Sequence, residues 1–373
     1  MPQTSLLPAD LLRPLFAAIV KKDLTMALLG IPSLSLFSTR NRLLLAGAAG
    51  VVGLMAYARW RQEQNRFSLA GKVVLITGGS RGLGLVLARM LAAKGARLAI
   101  CARTAEALDE ARQELEMLGA PVLTLSVDLT DTQQVDTMLR QIVDHYGRLD
   151  VLINNAGTIQ VGPQEALDIE DYEKAMKTNF WAALYTMLGT IPYFQAQGGG
   201  RIVNITSIGG KVAVPHLLPY TASKFALVGL SEGMHTELRK HNIQVTTVVP
   251  GLMRTGSTGH ITVKGDHAAE YRWFKVSASS ALLSVKAETA AANIIDALEY
   301  GRPEAIVSMS TRMATVLKAV APGLMTGLLN IAERFLPDNV PGGEVARQGS
   351  ESESLLSRIL GKRSETAALQ NNE

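Results

Sequence analysis

Seven short apolar runs, each separated from the next by a stretch of helical periodicity or polar turn residues, constrain this chain more than any other feature. They lie at 72–77, 97–101, 122–127, 151–154, 201–206, 244–249 and 305–308. The first, Lys72-Val-Val-Leu-Ile-Thr77, is rich in β-branched residues without polar alternation, the pattern of a strand covered on both faces. Helical stretches are read near 83–94, 104–118, 132–146, 167–195, 219–240 and 286–300. Strand and helix in alternation predict an α/β fold, a doubly wound Rossmann-type parallel sheet of about seven strands flanked by helices.

The first strand runs directly into a glycine-rich turn, Thr77-Gly78-Gly79-Ser80-Arg81-Gly82-Leu83-Gly84, and then into a helix. Free backbone N–H groups and the positive end of the helix dipole make such a junction an anion site. Gly78, Gly82 and Gly84 set a spacing that differs from the Gly-x-Gly-x-x-Gly dinucleotide fingerprint. The second strand ends in Cys101-Ala-Arg103-Thr104, with no acid where an NAD-binding chain places one for the adenosine ribose. Arg81 and Arg103 can instead flank a 2′-phosphate, which a carboxylate would repel. The expected cofactor is NADP(H) in preference to NAD(H).

Tyr220 and Lys224 stand one helical turn apart, thirteen residues and more beyond Ser207. Residues four apart share a helix face, so a phenol is set beside a fixed positive charge. A nearby ammonium favours the phenolate and brings the tyrosine toward acid/base work near neutrality.

Together these motifs resemble the short-chain dehydrogenase/reductase family in its Tyr-x-x-x-Lys form, over about residues 70–310. Thr77 to Gly84 matches the family's Thr-Gly-x-x-x-Gly-x-Gly turn. Asp128 resembles the acid that meets the adenine ring, and Asn154-Asn155-Ala156-Gly157 the segment that ends the fourth strand. Asn179 sits where the family keeps a helix asparagine. Pro250-Gly251 resembles the turn beneath the nicotinamide. The resemblance implies a catalytic set of Asn179, Ser207, Tyr220 and Lys224. In it Ser207 holds the substrate oxygen, Tyr220 moves the proton, Lys224 lowers the Tyr220 pKa and grips the nicotinamide ribose, and Asn179 holds a relay water. It also implies a homodimer or homotetramer, paired through the helices at 167–195 and 219–240.

Apolar residues at 47% supply ample material for a buried sheet. The pI of about 9.1 points to anionic surroundings, either a phosphate-rich cofactor or a lipid surface. No basic helix or aromatic-basic platform suggests nucleic acid, and the six histidines show no metal-ligand spacing, so no metal is expected. The single Cys101 excludes an internal disulfide and reads as a small buried apolar group.

The chain reads as four regions. Residues 1–66 form an N-terminal extension, 67–310 the catalytic domain with a substrate lid at 252–285, 311–342 an apolar helical extension, and 343–373 a polar tail expected to be disordered. Within the first, 43–58 is an uncharged run flanked by Arg40, Arg42, Arg59 and Arg61. As a helix it would span about 24 Å, short of the ~30 Å hydrocarbon core unless the arginines snorkel. A membrane anchor is the favoured reading, with an oligomerisation helix as the alternative. The basic bias after the run would leave the catalytic domain in the cytoplasm. The expected activity is NADPH-dependent interconversion of a carbonyl and an alcohol on a lipophilic small molecule. The rivals are a soluble, cytoplasmic family member with an oligomerisation arm and a non-catalytic NADPH-binding scaffold.

Overall fold

The computed structural model describes residue 63 and residues 66–280, 284–353, 367–368 and 370–372. The candidate anchor at 43–58 lies outside the described residues. Among those described, no helix is long and apolar enough to cross a membrane. The chain divides into two units, 1–66 and 67–373, and the second holds the sheet and the helices around it.

Seven parallel strands form its centre: β1 (Val73–Thr77), β2 (Arg97–Ala102), β3 (Val122–Ser126), β4 (Val151–Asn154), β6 (Gly200–Ile205), β7 (Ile243–Val249) and β11 (Glu304–Ile306). The short β5 (Gln160–Val161) lies outside this sheet. The order across the sheet is β11-β7-β6-β4-β1-β2-β3, so the winding reverses between β1 and β4. In open sheets of this kind ligands bind beyond the strand ends at the reversal. Each strand read from sequence is present, with ends within two residues of those expected.

Every residue of β1 is buried, because both sheet faces are covered. Successive side chains point to opposite faces. Val74 and Ile76 accordingly pack with α1 (Gly82–Ala93), α2 (Ala105–Met117) and α8 (Ala287–Tyr300). Val73 and Leu75 pack with α3 (Thr132–Tyr146) and α5 (Ala182–Ala196). Cys101 is fully buried among this second group, and burial pushes its thiol up to about 12.

The helical stretch expected at 167–195 is present without a break, with a π-helical turn inside it. Helix α4 (Ile169–Met176) passes through a π-helical turn, Lys177–Trp181, into α5. The turn carries Asn179, whose buried side chain bonds outside the helix and so stabilises the local widening. Helix α6 (Leu218–Leu238) carries Tyr220 and Lys224 in its first two turns.

Residues 252–285 form packed structure where they are described: β8 (Leu252–Arg254), β9 (Thr262–Val263), α7 (His267–Ser279) and β10 (Ser284–Lys286). Tyr271 and Phe274 of α7 are buried against Val161, Leu217, Ile261 and Val263. The extension forms α9 (Met309–Val320) and α10 (Pro322–Glu333), which pack on each other.

Parts of the tail expected to be disordered lie among the described residues. Arg347–Gln348 form β12, antiparallel to β9, and Lys275 pairs with Glu353. Farther on, Asn371 is 1% exposed. Arg347 and Gln348 stay exposed, whereas Asn371 is buried with its polar groups bonded to Arg89 and the Thr255 carbonyl, partners that composition alone does not reveal.

Candidate active site

The glycine-rich turn leaves β1 at Thr77. The Thr77 hydroxyl accepts from the backbone N–H groups of Asn155 and Ala156 at 2.9 and 3.0 Å. Asn155 Nδ2 donates to the Thr77 and Gly78 carbonyls, each at 3.0 Å. The ends of β1 and β4 are thereby tied across the reversal point. Gly78 has φ +63° and Gly82 φ +55°, left-handed conformations that glycine adopts without strain. A Cβ on Gly78 would also sit 3.0 Å from the Ala156 Cα. Gly79 was not singled out from the sequence, although a Cβ there would lie 2.7 Å from the Ile100 Cβ. Its place between Gly78 and Ser80 was the available signal. Ser80 and Leu83 are buried within the same turn.

Three residues flank this cradle on the side expected for adenosine. Arg103 has an exposed side chain, and its carbonyl accepts from Ser126 Oγ at 3.0 Å. Arg81 Nη1 lies 3.0 Å from His260 Nε2. Asp128 is exposed and accepts from the Thr130 N–H and hydroxyl at 2.9 and 2.8 Å. A glycine cradle at a helix N-terminus, on the reversal point, with arginines and no acid at the end of β2, fits a nicotinamide dinucleotide. One donor of the cradle already has a partner: the Gly82 N–H donates to the Asn371 carbonyl at 2.8 Å. Nothing in the sequence pointed to Asn371.

On the other side of the reversal the four candidate catalytic residues come together. Ser207 follows β6 and is 8% exposed; its Oγ accepts from the Gly209 N–H at 3.1 Å. Ser207 and the Tyr220 ring meet over Gly209, where a Cβ would stand 3.6 Å from Ser207 Oγ and 3.1 Å from Tyr220 Cε1. Lys224 Nζ donates to the Ile205 carbonyl at 3.0 Å and lies 5.8 Å from the centre of the Tyr220 ring. Asn179 exchanges hydrogen bonds with the Thr158 backbone, at 2.8 and 3.0 Å, and donates to Ser223 Oγ at 2.9 Å. Ser223 in turn donates to the Tyr220 carbonyl at 2.7 Å, a link the sequence gave no reason to select. Gly157 fills the angle between them, since a Cβ there would stand 2.9 Å from Asn179 Oδ1 and 3.5 Å from Lys224 Nζ. The Pro250 carbonyl accepts from the Ile208 N–H at 2.7 Å, which brings the Pro250-Gly251 turn beside Ser207.

Burial governs the charges here. It pushes the Tyr220 phenol up to about 12, against the opposing hydrogen bond from Ser207. It pushes the Lys224 ammonium down to about 8. The expectation that Lys224 depresses the Tyr220 pKa is thus outweighed in this structure by desolvation, which disfavours both charged forms.

Tyr220, Val214, Ile159 and Trp273 line one apolar wall, each packed against the cluster built around Leu217 and Phe274. His216 has φ +58° and sets its Nδ1 2.7 Å from Glu270 Oε1, while Glu270 Oε2 accepts from the Trp273 indole at 2.6 Å. The carboxylate thus fixes both rings.

Behind the site, Asn154 donates to Asn204 Oδ1 at 2.9 Å and accepts from Thr186 at 2.7 Å. Asn204 donates to Ser231, which accepts from Thr247, so β4, β6 and β7 are joined to α5 and α6. Asn154 was legible as a brace, and its partners were not.

The sheet reversal thus carries a glycine cradle on one side and a Ser207–Tyr220–Lys224 cluster on the other. Residues 72–264 match the model of the short chain dehydrogenase family. The chain belongs to that family. It is 32% identical over 276 residues to a fatty acyl-CoA reductase of Acinetobacter baylyi, covering 74% of this chain and 88% of the relative. It is 31% identical over 294 residues to the dehydrogenase/reductase SDR family member 7B of Bos taurus, covering 77% and 88%. A putative short-chain alcohol dehydrogenase from Sinorhizobium meliloti superposes with a TM-score of 0.59 at 28% identity, covering 66% of this chain and 98% of the other.

Proposed function

We propose that the protein interconverts a carbonyl and an alcohol on a lipophilic substrate, with NADP(H) as carrier and Tyr220 as general acid and base. One observation carries the reading: Tyr220 stands beside Ser207 over Gly209, with Lys224 next to its ring, on an apolar wall shared with Ile159, Val214 and Trp273. Thr77–Gly84, Asn155–Gly157 and Pro250–Gly251 would hold the dinucleotide, Asp128 would meet its adenine, and Arg81 and Arg103 its 2′-phosphate. When bound, the nicotinamide supplies the hydride to the carbonyl carbon, or accepts it in the reverse direction.

Ser207 holds the substrate oxygen while negative charge grows on it, and Tyr220 passes its proton to that oxygen. The phenolate left behind is stabilised by the Lys224 ammonium, which offsets the burial opposing it. Asn179, set by the π-helical turn, holds the water through which Lys224 is reprotonated.

The apolar wall and the relative named as a fatty acyl-CoA reductase support a long-chain aldehyde, ketone or corresponding alcohol as substrate. The uncharged run at 43–58 with its flanking arginines supports membrane association, with the catalytic domain on the cytoplasmic side. Exposed Trp181 and Leu188 beside α5 and Phe225 on α6 support a homodimer or homotetramer paired through those helices.

The test is turnover of the full chain with NADPH and with NADH against aldehydes and ketones graded by chain length. Activity with NADPH that rises with chain length is the expected result. NADPH binding without turnover of any carbonyl or alcohol would overturn the proposal in favour of a scaffold.

A further inference from the structure

The last two helices carry apolar side chains that the body of the protein leaves uncovered. Helix α9 exposes Met313, Val316 and Val320, and α10 exposes Leu324, Leu328 and Phe335 just past its end. Val320 is 80% exposed and Phe335 83%. Spacings of three, four and seven place each trio along one side of its helix. Other sides meet the body, through buried Thr311 in α9 and buried Met325 in α10. A soluble helix reverses this arrangement, and an apolar surface of this extent marks an interaction site.

We infer that this helical pair seats on an anionic lipid bilayer, which deepens the membrane association proposed above and gives it a second contact. Charge selects the occupant. Residues 319–332 hold no charged side chain, and Lys318 and Arg334 bound them. Between 309 and 335 stand three cations, Arg312, Lys318 and Arg334, against one anion, Glu333. A helical pair with apolar residues on one side and a net excess of cations at its margins suits acyl chains below and anionic headgroups around it. A second copy fits less well, since a twofold contact would set these cations against themselves. The chain's own residues 1–62 fit no better: they hold seven cations and two anions, again an excess of positive charge.

The seat is tied to the candidate active site. Ser308 Oγ caps α9 by accepting from the Thr311 N–H at 3.2 Å. A Cβ on Gly251 would come within 2.5 Å of Thr311 Oγ1. The first turn of α9 therefore rests on the Pro250-Gly251 turn beside Ser207. A bilayer under the helical pair holds the site next to the phase in which a lipophilic substrate dissolves.

Cys101 is fully buried, so a cysteine introduced elsewhere can be labelled alone. The full-length Phe335→Cys chain, carrying an environment-sensitive thiol dye, is mixed with phosphatidylcholine–phosphatidylglycerol vesicles containing nitroxide acyl chains. Met117→Cys, at an exposed site on α2, is the reference. The dye at 335 is expected to shift to the blue and lose about half its intensity or more, while the dye at 117 does not respond. Adding Leu324→Glu and Leu328→Glu is expected to abolish the response at 335. Equal responses at 335 and 117 while the protein floats with vesicles would overturn the inference and leave the N-terminal region as the sole contact. A blue-shifted dye at 335 without vesicles would also overturn it. Dependence on protein concentration would then identify a second copy, and independence the chain's own N-terminal segment. Turnover of soluble carbonyls, measured separately, tells failure of this inference from failure of the proposed reaction.

Discussion

The backbone N–H of Gly82 donates to the carbonyl oxygen of Asn371 at 2.8 Å, so the end of the chain occupies a donor of the glycine-rich cradle. Asn371 is held from several sides. Arg89 Nη1 donates to its Oδ1 at 3.0 Å, Arg89 Nη2 donates to the Gln370 carbonyl at 2.8 Å, and Asn371 Nδ2 donates to the Thr255 carbonyl at 3.3 Å. The Gly82 N–H belongs to the first turn of α1, where an anion is best placed to take it.

A phosphate oxygen that takes this donor must displace the tail. Deleting residues 367–373 is therefore expected to tighten NADPH binding by about three- to tenfold, the worth of one to two hydrogen bonds no longer broken. Titration of NADPH fluorescence on full-length and truncated protein checks it. Equal or weaker binding after truncation would show that the tail and cofactor do not compete.

The sheet and the main site were legible because each rests on local chemistry. Val73–Thr77 is apolar without alternation, so a strand covered on both faces was the available reading. Tyr220 and Lys224 are four apart on one helix, so their meeting required no knowledge of the rest of the chain. Asn371, Ser223 and the partners of Asn154 stayed hidden for the opposite reason. Each is an ordinary polar residue whose role comes from a neighbour distant in sequence. The π-helical turn at Lys177–Trp181 was also invisible, since Thr158 and Ser223, which bond Asn179 within it, are distant in sequence. The net effect of burial on Tyr220 could not be weighed against Lys224 until the packing around both was known.

Tyr220→Phe removes the hydroxyl assigned the proton transfer and leaves the ring that packs on the apolar cluster. Turnover is expected to fall by about 10²–10⁴-fold, the usual share of a general acid, with NADPH affinity changed less than threefold or so. Single-turnover kinetics under saturating cofactor measure the loss. Retained turnover would remove Tyr220 from the chemistry.

Arg103→Asp exchanges an exposed cation for an anion where the second strand ends. Repulsion of the 2′-phosphate is expected to raise the KM for NADPH by about 10–100-fold while the KM for NADH changes by less than about threefold. Paired initial-rate measurements decide it, and parallel changes for the two cofactors would reject the assignment.

Asn204→Leu breaks the buried chain that joins Asn154, Asn204, Ser231 and Thr247. Asn154 Nδ2 and Ser231 lose partners inside a closed core, at a cost of about 1–3 kcal/mol. For a domain of this size the midpoint should fall by about 2–4 °C for each kcal/mol. Calorimetry of the variant checks it, and an unchanged midpoint would show that the network is relieved by repacking.

Lys224→Met tests the charge balance through stability instead of turnover. Burial lowers the folded-state pKa of Lys224 to about 8, below its ordinary 10.5, so the folded protein binds this proton less tightly than the unfolded chain does. Below pH 8 the side chain is charged in both states and the full penalty is present, about 3 kcal/mol against folding. Between pH 8 and 10.5 the folded side chain is neutral and the unfolded one still charged, so the penalty fades as pH rises. The methionine variant carries no such charge. It is expected to unfold at higher temperature than the parent at pH 7 in buffer without cofactor, with the difference shrinking toward pH 10. The lost hydrogen bond to the Ile205 carbonyl subtracts about 1 kcal/mol from the gain throughout. Turnover should be lost at every pH. A variant less stable at pH 7, or a difference independent of pH, would mean that Lys224 is not the desolvated cation that the packing around it requires.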